Sequence, residues 1–140
     1  MKLVVVFDTS VLFSAIGWKG KPSQCVQFAC GGRIEGITCT EILDELADKL
    51  SIKLAFSNQQ IIETIGSLQI FLKPVAITGR MTGLCADPKD DMVLECALAA
   101  GATQVVSSDK KHLLSLKQFR GIDIVSPAEL IRLIEATAPA

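Results

Sequence analysis

The sequence predicts an α/β domain with a central, mainly parallel sheet of about five strands. Apolar, β-branched runs alternate with segments of helical periodicity from one end of the chain to the other. The run at residues 2–7 (KLVVVF) is too continuous for a half-exposed strand, which indicates a parallel strand covered on both faces. Of the 140 residues, 49% are hydrophobic, enough for one core, so we expect a single domain over residues 1–140.

The first half of the chain alternates strand and helix. A helix follows the first strand and is expected to begin near Val11. Residues 35–39 (EGITC) predict the second strand. Residues 40–50 predict a helix, because isoleucine and leucine recur there at helical spacing, with Thr40 as the N-cap.

The second half continues the alternation. Residues 58–72 show a helical pattern that begins after Ser57, a start signal, and residues 73–77 (KPVAI) predict a short strand. Residues 78–86 contain two glycines and no periodicity, which predicts a loop. The later elements are a helix from the acidic stretch to Gly101, a strand at 103–108, a short helix at 110–116, a strand at 121–125 and a helix at 127–136.

Composition excludes several classes of protein. The formal net charge of −1 gives no global attraction to nucleic acid, so phosphate binding requires a local patch or a bound cation. The apolar runs are too short to cross a membrane, and the first one ends at Asp8 without a signal-peptide cleavage pattern. The five cysteines form no metal or redox motif and are interpreted as small core residues. We therefore expect a cytoplasmic protein with no membrane partner.

Common catalytic motifs are absent. A histidine-based triad would depend on the single histidine, His112, and there is no nucleophile elbow, Walker loop or dinucleotide fingerprint. We interpret His112 as a residue on a helix surface.

Two aspartates stand at the ends of predicted strands. Asp8 closes the first strand, and Asp109 follows the strand at 103–108. Ligands of parallel α/β sheets bind beyond the carboxyl ends of the strands, where the strand order reverses. If these two strands are neighbours, both carboxylates face one crevice; the alternative for each is an ordinary helix N-cap.

The stretch DPKDDM at residues 87–92 crowds three carboxylates before an apolar helix. Asp87 and Pro88 suit the N-cap and first helical positions, and Asp90 would complete an arrangement close to a capping box. The helical wheel nevertheless aligns Asp90 with the core stripe, and a buried carboxylate needs a partner or a raised pKa. Asp91 falls at the stripe's edge and Glu95 beyond it. The stripe consists of Val93, Leu94, Ala97 and Leu98.

Four segments in this order make the chain resemble the PIN domain family, and its single-domain prokaryotic VapC-like toxins in particular. They are VVVFDTSVL, EILDEL, DPKDDMVLECALAAGA and VVSSDKKHLL. The resemblance implies a three-layer α/β/α fold and an endoribonuclease that hydrolyses phosphodiesters with a water bound to one or two Mg²⁺ or Mn²⁺ ions. It also implies a homodimer or higher homo-oligomer and an antitoxin protein as partner.

The resemblance also assigns residues, and only it selects Glu45, whose alternative is a solvated pair with Lys49. The implied catalytic residues are Asp8, Glu45, Asp90 and Asp109; the metal ligands are Asp8, Asp87, Asp90 and Asp109; the supporting residues are Thr9, Ser10 and Ser107. Basic side chains are separate candidates for substrate binding, each with an ordinary solvated charge as its alternative: Arg80 in the predicted loop, Lys110 and Lys111 beside Asp109, and Lys19 and Lys21 near the first loop. Many relatives have Asn at the position of Ser10 and Thr at that of Ser107.

Two other functions stay open at this point. One is a PIN-like module that binds RNA or protein without catalysis. The other is a phosphatase of the haloacid-dehalogenase type, which VVVFDTS suggests. That chemistry needs an acid–base aspartate two residues after Asp8, where this chain has Ser10.

Overall fold

Within residues 2–85 and 87–137, which the computed structural model describes, the chain forms one sheet of six strands. The strands are β1 (Val4–Phe7), β2 (Glu35–Thr38), β3 (Lys73–Pro74), β4 (Gln104–Val106), β5 (Gln118–Phe119) and β6 (Ile122–Val125). Their order across the sheet is β3-β2-β1-β4-β6-β5, and all pairs are parallel except β5 with β6. The predicted mainly parallel sheet is confirmed, and the short β5 is an addition to it.

Helices cover both faces of this sheet in the described part of the chain. They are α1 (Thr9–Gly17), α2 (Gly20–Cys30), α3 (Thr40–Leu54), α4 (Asn58–Gln69), α5 (Pro88–Ala100), α6 (Leu113–Leu116) and α7 (Pro127–Ala136). Helix α2 packs against α7, and α3 packs against α5, so the predicted α/β/α layering is confirmed. No described helix has both the length and the apolar character needed to cross a membrane.

Several predicted boundaries were wrong. Helix α1 begins at Thr9 rather than near Val11, because Asp8 occupies the N-cap position. The N-cap of α3 is Cys39 rather than Thr40, which is already helical, and α3 continues to Leu54. The strand predicted at 73–77 contains only two residues.

Other local signals were correct. Ser57, predicted as a start signal, forms a capping box at the start of α4, and α7 spans Pro127–Ala136 as predicted. Of the cysteines interpreted as core residues, Cys25, Cys39 and Cys96 are buried. Cys85 is partly buried, and Cys30 is exposed, contrary to that interpretation.

The direction in which successive strands are added to the sheet reverses between β1 and β4. Strand β1 has β2 on one side and β4 on the other, and both pairs are parallel. Helix α5 packs against all three of these strands. The carboxyl ends of β1 and β4 and the first turn of α5 therefore meet at one edge of the sheet.

Candidate active site

Asp8 and Asp109 follow adjacent parallel strands, as predicted. Phe7 and Val106, the last residues of β1 and β4, are partners in the sheet register. The N–H of Asp8 donates to the carbonyl of Val106 at 2.9 Å. The two aspartates thus lie at the carboxyl edge, where α/β sheets bind ligands.

The side chain of Asp8 is held by hydroxyl groups and does not cap its helix. Its Oδ2 accepts hydrogen bonds from Ser10 Oγ at 2.9 Å and from Ser107 Oγ at 2.8 Å, and no capping bond is present. Ser107 Oγ also accepts from the N–H of Asp109 at 3.1 Å. Ser107 therefore couples the two strand ends, and capping alone does not account for Asp8.

Asp90 is the least satisfied carboxylate in this region. It lies in the first turn of α5 with 8% of its surface exposed. Its Oδ2 is fully buried and has no hydrogen-bond partner among the described residues. Burial, followed by the negative charges of Asp8 and Asp87, raises the pKa of Asp90 to about 6. The prediction that Asp90 is buried along the core face is confirmed.

Asp87 has the capping role that the sequence predicts. Its side chain accepts a hydrogen bond from the N–H of Lys89 at 3.0 Å as the N-cap of α5. The expected capping box with Asp90 is wrong. The N–H of Asp90 donates to the main-chain carbonyl of Asp87 at 3.0 Å instead.

Asp109 makes a contact that sequence reasoning missed. His112 Nδ1 lies 2.6 Å from Asp109 Oδ2, and the N–H of Lys111 donates to Oδ1 at 3.1 Å. Although burial raises the pKa of Asp109, the hydrogen bonds from His112 and Lys111 outweigh it and lower that pKa. His112 is exposed, as predicted, but Asp109 raises its pKa, and their i,i+3 spacing was the available signal.

Glu45 shows the pairing that stood as its alternative. Its carboxylate lies 3.6 Å from Lys49 Nζ on α3. Among the described residues, no three carboxylate, imidazole or thiol side chains lie close enough to hold one metal ion. The structure brings Asp8, Asp87 and Asp109 close enough for their charges to act on Asp90. It does not gather these aspartates and Glu45 around one metal position in the described part of the chain.

Two further carboxylates on α5 are buried, although the helical wheel sets them at or beyond the edge of the core stripe. Glu95, 7% exposed, accepts hydrogen bonds from the N–H groups of Thr78 (2.5 Å), Gly79 (3.2 Å) and Met81 (3.4 Å) and from the Thr78 hydroxyl. Asp91, 3% exposed, accepts from the N–H of Cys85 at 2.8 Å. The segment at residues 78–85, which we call the glycine loop, covers this side of the helix. The i,i+4 spacing of these acids opposite a glycine loop was the signal.

The remaining predicted residues differ in their exposure. Thr9 and Ser107 are buried, and Ser10 is partly buried. Arg80, Lys110 and Lys111 are exposed. These positions are compatible with the predicted supporting and substrate-binding roles.

Together, the fold and the site define a class of protein: a parallel α/β domain with buried aspartates at the carboxyl edge of its sheet. The PIN domain family model matches residues 4–111, and the chain belongs to that family. No curated protein matches the chain.

Two solved structures share the fold. One is a chain in the crystal structure of VapBC2 from Rickettsia felis bound to a DNA fragment from their promoter, with a TM-score of 0.66 and 14% identity over 89% of this chain and 98% of that chain. The other is PAE2754 from Pyrobaculum aerophilum, with a TM-score of 0.63 and 14% identity over 96% of this chain and 91% of that chain.

Proposed function

We propose that this protein is an endoribonuclease that depends on Mg²⁺ or Mn²⁺ and acts as the toxin of a toxin–antitoxin pair. One observation carries the proposal: Asp90 is buried beside the charges of Asp8 and Asp87 with one oxygen unpaired among the described residues. Membership of the PIN family supports nuclease activity. A buried carboxylate without a partner is costly, so it requires either a cation or a proton.

The residues present fit a hard divalent cation in their chemistry. All the donors are carboxylate oxygens, which Mg²⁺ and Mn²⁺ prefer. Asp8, Asp87, Asp90 and Asp109 would hold one or two ions. When bound, such an ion would supply the water activation and the electrostatic stabilisation that phosphodiester hydrolysis needs.

The other residues prepare the site. Ser10 and Ser107 orient the Asp8 carboxylate by donating to Oδ2. Ser107 also fixes the turn that carries Asp109. Thr9 is buried at the start of α1 and supports the carboxyl edge of the sheet. Glu45 would join the four aspartates once its ion pair with Lys49 breaks.

Exposed, positively charged side chains supply the attraction for RNA. Arg80 lies in the glycine loop, and Lys110 and Lys111 follow Asp109 directly. Because the net charge is only −1, local groups of this kind must draw in the phosphate backbone.

Cleavage by carboxamide variants tests the proposal. Asp8→Asn and Asp90→Asn should each lower cleavage of a diverse RNA pool in Mg²⁺ or Mn²⁺ by at least about a hundredfold, since each removes a charge that the reaction needs. Asp48→Asn, at an exposed position of α3, should cleave like the wild type. Undiminished cleavage by both site variants, or metal-independent cleavage by the wild type, would refute the mechanism.

A non-catalytic PIN module is the second candidate, and one observation favours it. Within the described residues, no group of three potential ligands is close enough for one ion, and Glu45 is paired with Lys49. This candidate requires that purified protein bind RNA without cleaving it and show no heat of binding on titration with Mn²⁺.

We also propose an antitoxin partner and a homodimer in the cytoplasm. The similarity in fold to a chain of VapBC2 supports the first proposal. Co-expression with the product of an adjacent gene should yield a stable complex that suppresses RNA cleavage. Light scattering should give twice the mass of the 15.0 kDa chain, and a monomer at high concentration would refute the dimer.

A further inference from the structure

A groove of about 770 Å³ lies between α6, β6 and α7, and we call it the α7 groove. Its volume is within the range of sites that take a small organic molecule, about 300–1,000 Å³. Its lining includes Lys110 but none of the four aspartates that would hold the metal ions. The α7 groove is therefore distinct from the candidate active site.

Part of the groove is apolar surface that the fold leaves uncovered. Leu114 and Leu133 line it, and Leu133 keeps 37% of its surface exposed, whereas Leu130 and Ile134 of the same helix are buried. Ile124 of β6 is buried and belongs to the same lining. An apolar group that covered this surface would remove it from water, which is favourable.

Three positively charged side chains border this apolar surface: Lys110, Lys117 and Arg132. All three are exposed, and none of them forms an ion pair within the described residues, where the ion pairs involve other side chains. Lys117 has a φ of 61°, which side chains rarely adopt, and its carbonyl accepts a hydrogen bond from the N–H of Ile124 at 2.9 Å. Strained residues of this kind are held in place by their surroundings and are frequent at ligand sites.

The two carboxylates in the lining are already engaged. Asp123 Oδ1 accepts a hydrogen bond from Gln118 Nε2 at 3.3 Å. Glu129 Oε1 accepts from the N–H of Ser126 at 3.1 Å in the capping box of α7. The groove thus has three positive charges against two negative ones, and the positive charges are those without a partner.

We propose that the α7 groove binds a small carboxylate with an apolar body. The apolar body would cover Leu114 and Leu133, and the carboxylate would pair with the positively charged side chains at the border. The excess of one positive charge matches a monoanion better than a phosphate dianion. This inference concerns a second site and does not depend on the proposed nuclease activity.

Fatty carboxylates of different length test both halves of the proposal. Titration of ¹⁵N-labelled protein in EDTA with octanoate should shift the amide signals of Lys117 and Leu133. The affinity should rise at least about fourfold from butanoate to hexanoate and again to octanoate, because each fully buried methylene is worth about fourfold. Octan-1-ol, which keeps the apolar body without the charge, should bind about fivefold more weakly than octanoate.

Variants of the groove should weaken octanoate binding. Leu133→Glu removes apolar surface and repels the carboxylate, so the affinity should fall at least about tenfold. Ile62→Glu, which makes the same kind of change at an exposed position of α4, should bind like the wild type. The double variant Lys117→Gln, Arg132→Gln should bind at least about fivefold more weakly, whereas Lys53→Gln on α3 should have no effect.

Four results would overturn the inference. They are equal affinity for butanoate and octanoate, equal affinity for octanoate and octan-1-ol, undiminished binding by the folded groove variants, and binding of inorganic phosphate as tight as that of octanoate. The last result would show that the groove collects anions by charge alone, as a path for an RNA backbone would. Groove signals that shift on dilution without ligand would show that a second copy of the chain covers this surface, and would also overturn it. Because no RNA or metal is present, failure here leaves the proposed nuclease untouched.

Discussion

Replacing Asp90 by asparagine should stabilise the metal-free protein at neutral pH. In the folded chain, burial and the charges of Asp8 and Asp87 raise the pKa of Asp90 from 3.8 to about 6. Each tenfold change in proton affinity corresponds to about 1.4 kcal/mol, so ionised Asp90 lowers the free energy of unfolding by about 3 kcal/mol at pH 7. The asparagine variant has nearly the same shape without the charge.

The sign of the pH dependence follows from the direction of the shift. A carboxyl group whose pKa is raised by folding binds more protons in the folded state than in the unfolded state. The contribution of Asp90 to the free energy of unfolding of the wild type is therefore greatest below about pH 4 and is lost as the pH rises through about 6. The stability gap between Asp90→Asn and wild type should grow from near zero at pH 4 to about 3 kcal/mol at pH 7.

Urea denaturation in EDTA at several pH values measures this gap, because the difference between the proteins cancels the titration of other groups. Asp48→Asn, which removes an exposed carboxylate, should show no pH-dependent gap. Adding Mn²⁺ should stabilise the wild type more than Asp90→Asn. A gap that stays constant from pH 4 to pH 7 would show that Asp90 is not held under electrostatic strain.

Three further predictions concern packing, the loop and the single histidine. Gly36→Ala should cost about 1–3 kcal/mol of unfolding free energy, because the added Cβ would lie 2.6 Å from the Leu72 side chain. Gly66→Ala serves as its control and should not destabilise, because no described atom lies within 4 Å of the added Cβ. Glu95→Gln should cost about 2 kcal/mol of unfolding free energy and speed hydrogen exchange in the glycine loop, and unchanged exchange would contradict this role. Although burial raises the pKa of Glu95, its hydrogen bonds outweigh burial and lower that pKa, so the advantage of the wild type should be lost as the pH falls from 4.5 through the lowered value. The His112 imidazole should titrate above pH 6.5 by NMR and return toward that value in Asp109→Asn; equal midpoints would show that the contact does not persist in solution.

The layered fold was accessible from the sequence because its signals are local. Continuous β-branched runs mark buried parallel strands, and their alternation with helical patterns restricts the topology. The proximity of Asp8 and Asp109 followed from one further rule, that parallel strands end at the same edge. Neither inference required knowledge of a distant contact.

The missed features depend on contacts that no local pattern encodes. Helix α2 was not predicted; it follows a residue with positive φ, Lys19, and is stabilised by packing against α1 and α7. A helical wheel identified the core stripe of α5, but it could not show that a loop also covers Asp91 and Glu95. The contact between His112 and Asp109 depends on the turn that precedes α6.

The edges of the sheet restrict how copies of this chain can assemble. Strand β3 offers only two residues, one of which is Pro74 with no N–H to donate. At the opposite edge, β5 is equally short and ends in a tight turn where Arg120 and Gly121 both have positive φ. Neither edge strand is long enough to pair stably with a strand of a neighbouring molecule, which protects against fibre-like association. The proposed homodimer would therefore avoid the sheet edges, and mutagenesis that tests it should begin at the helical faces.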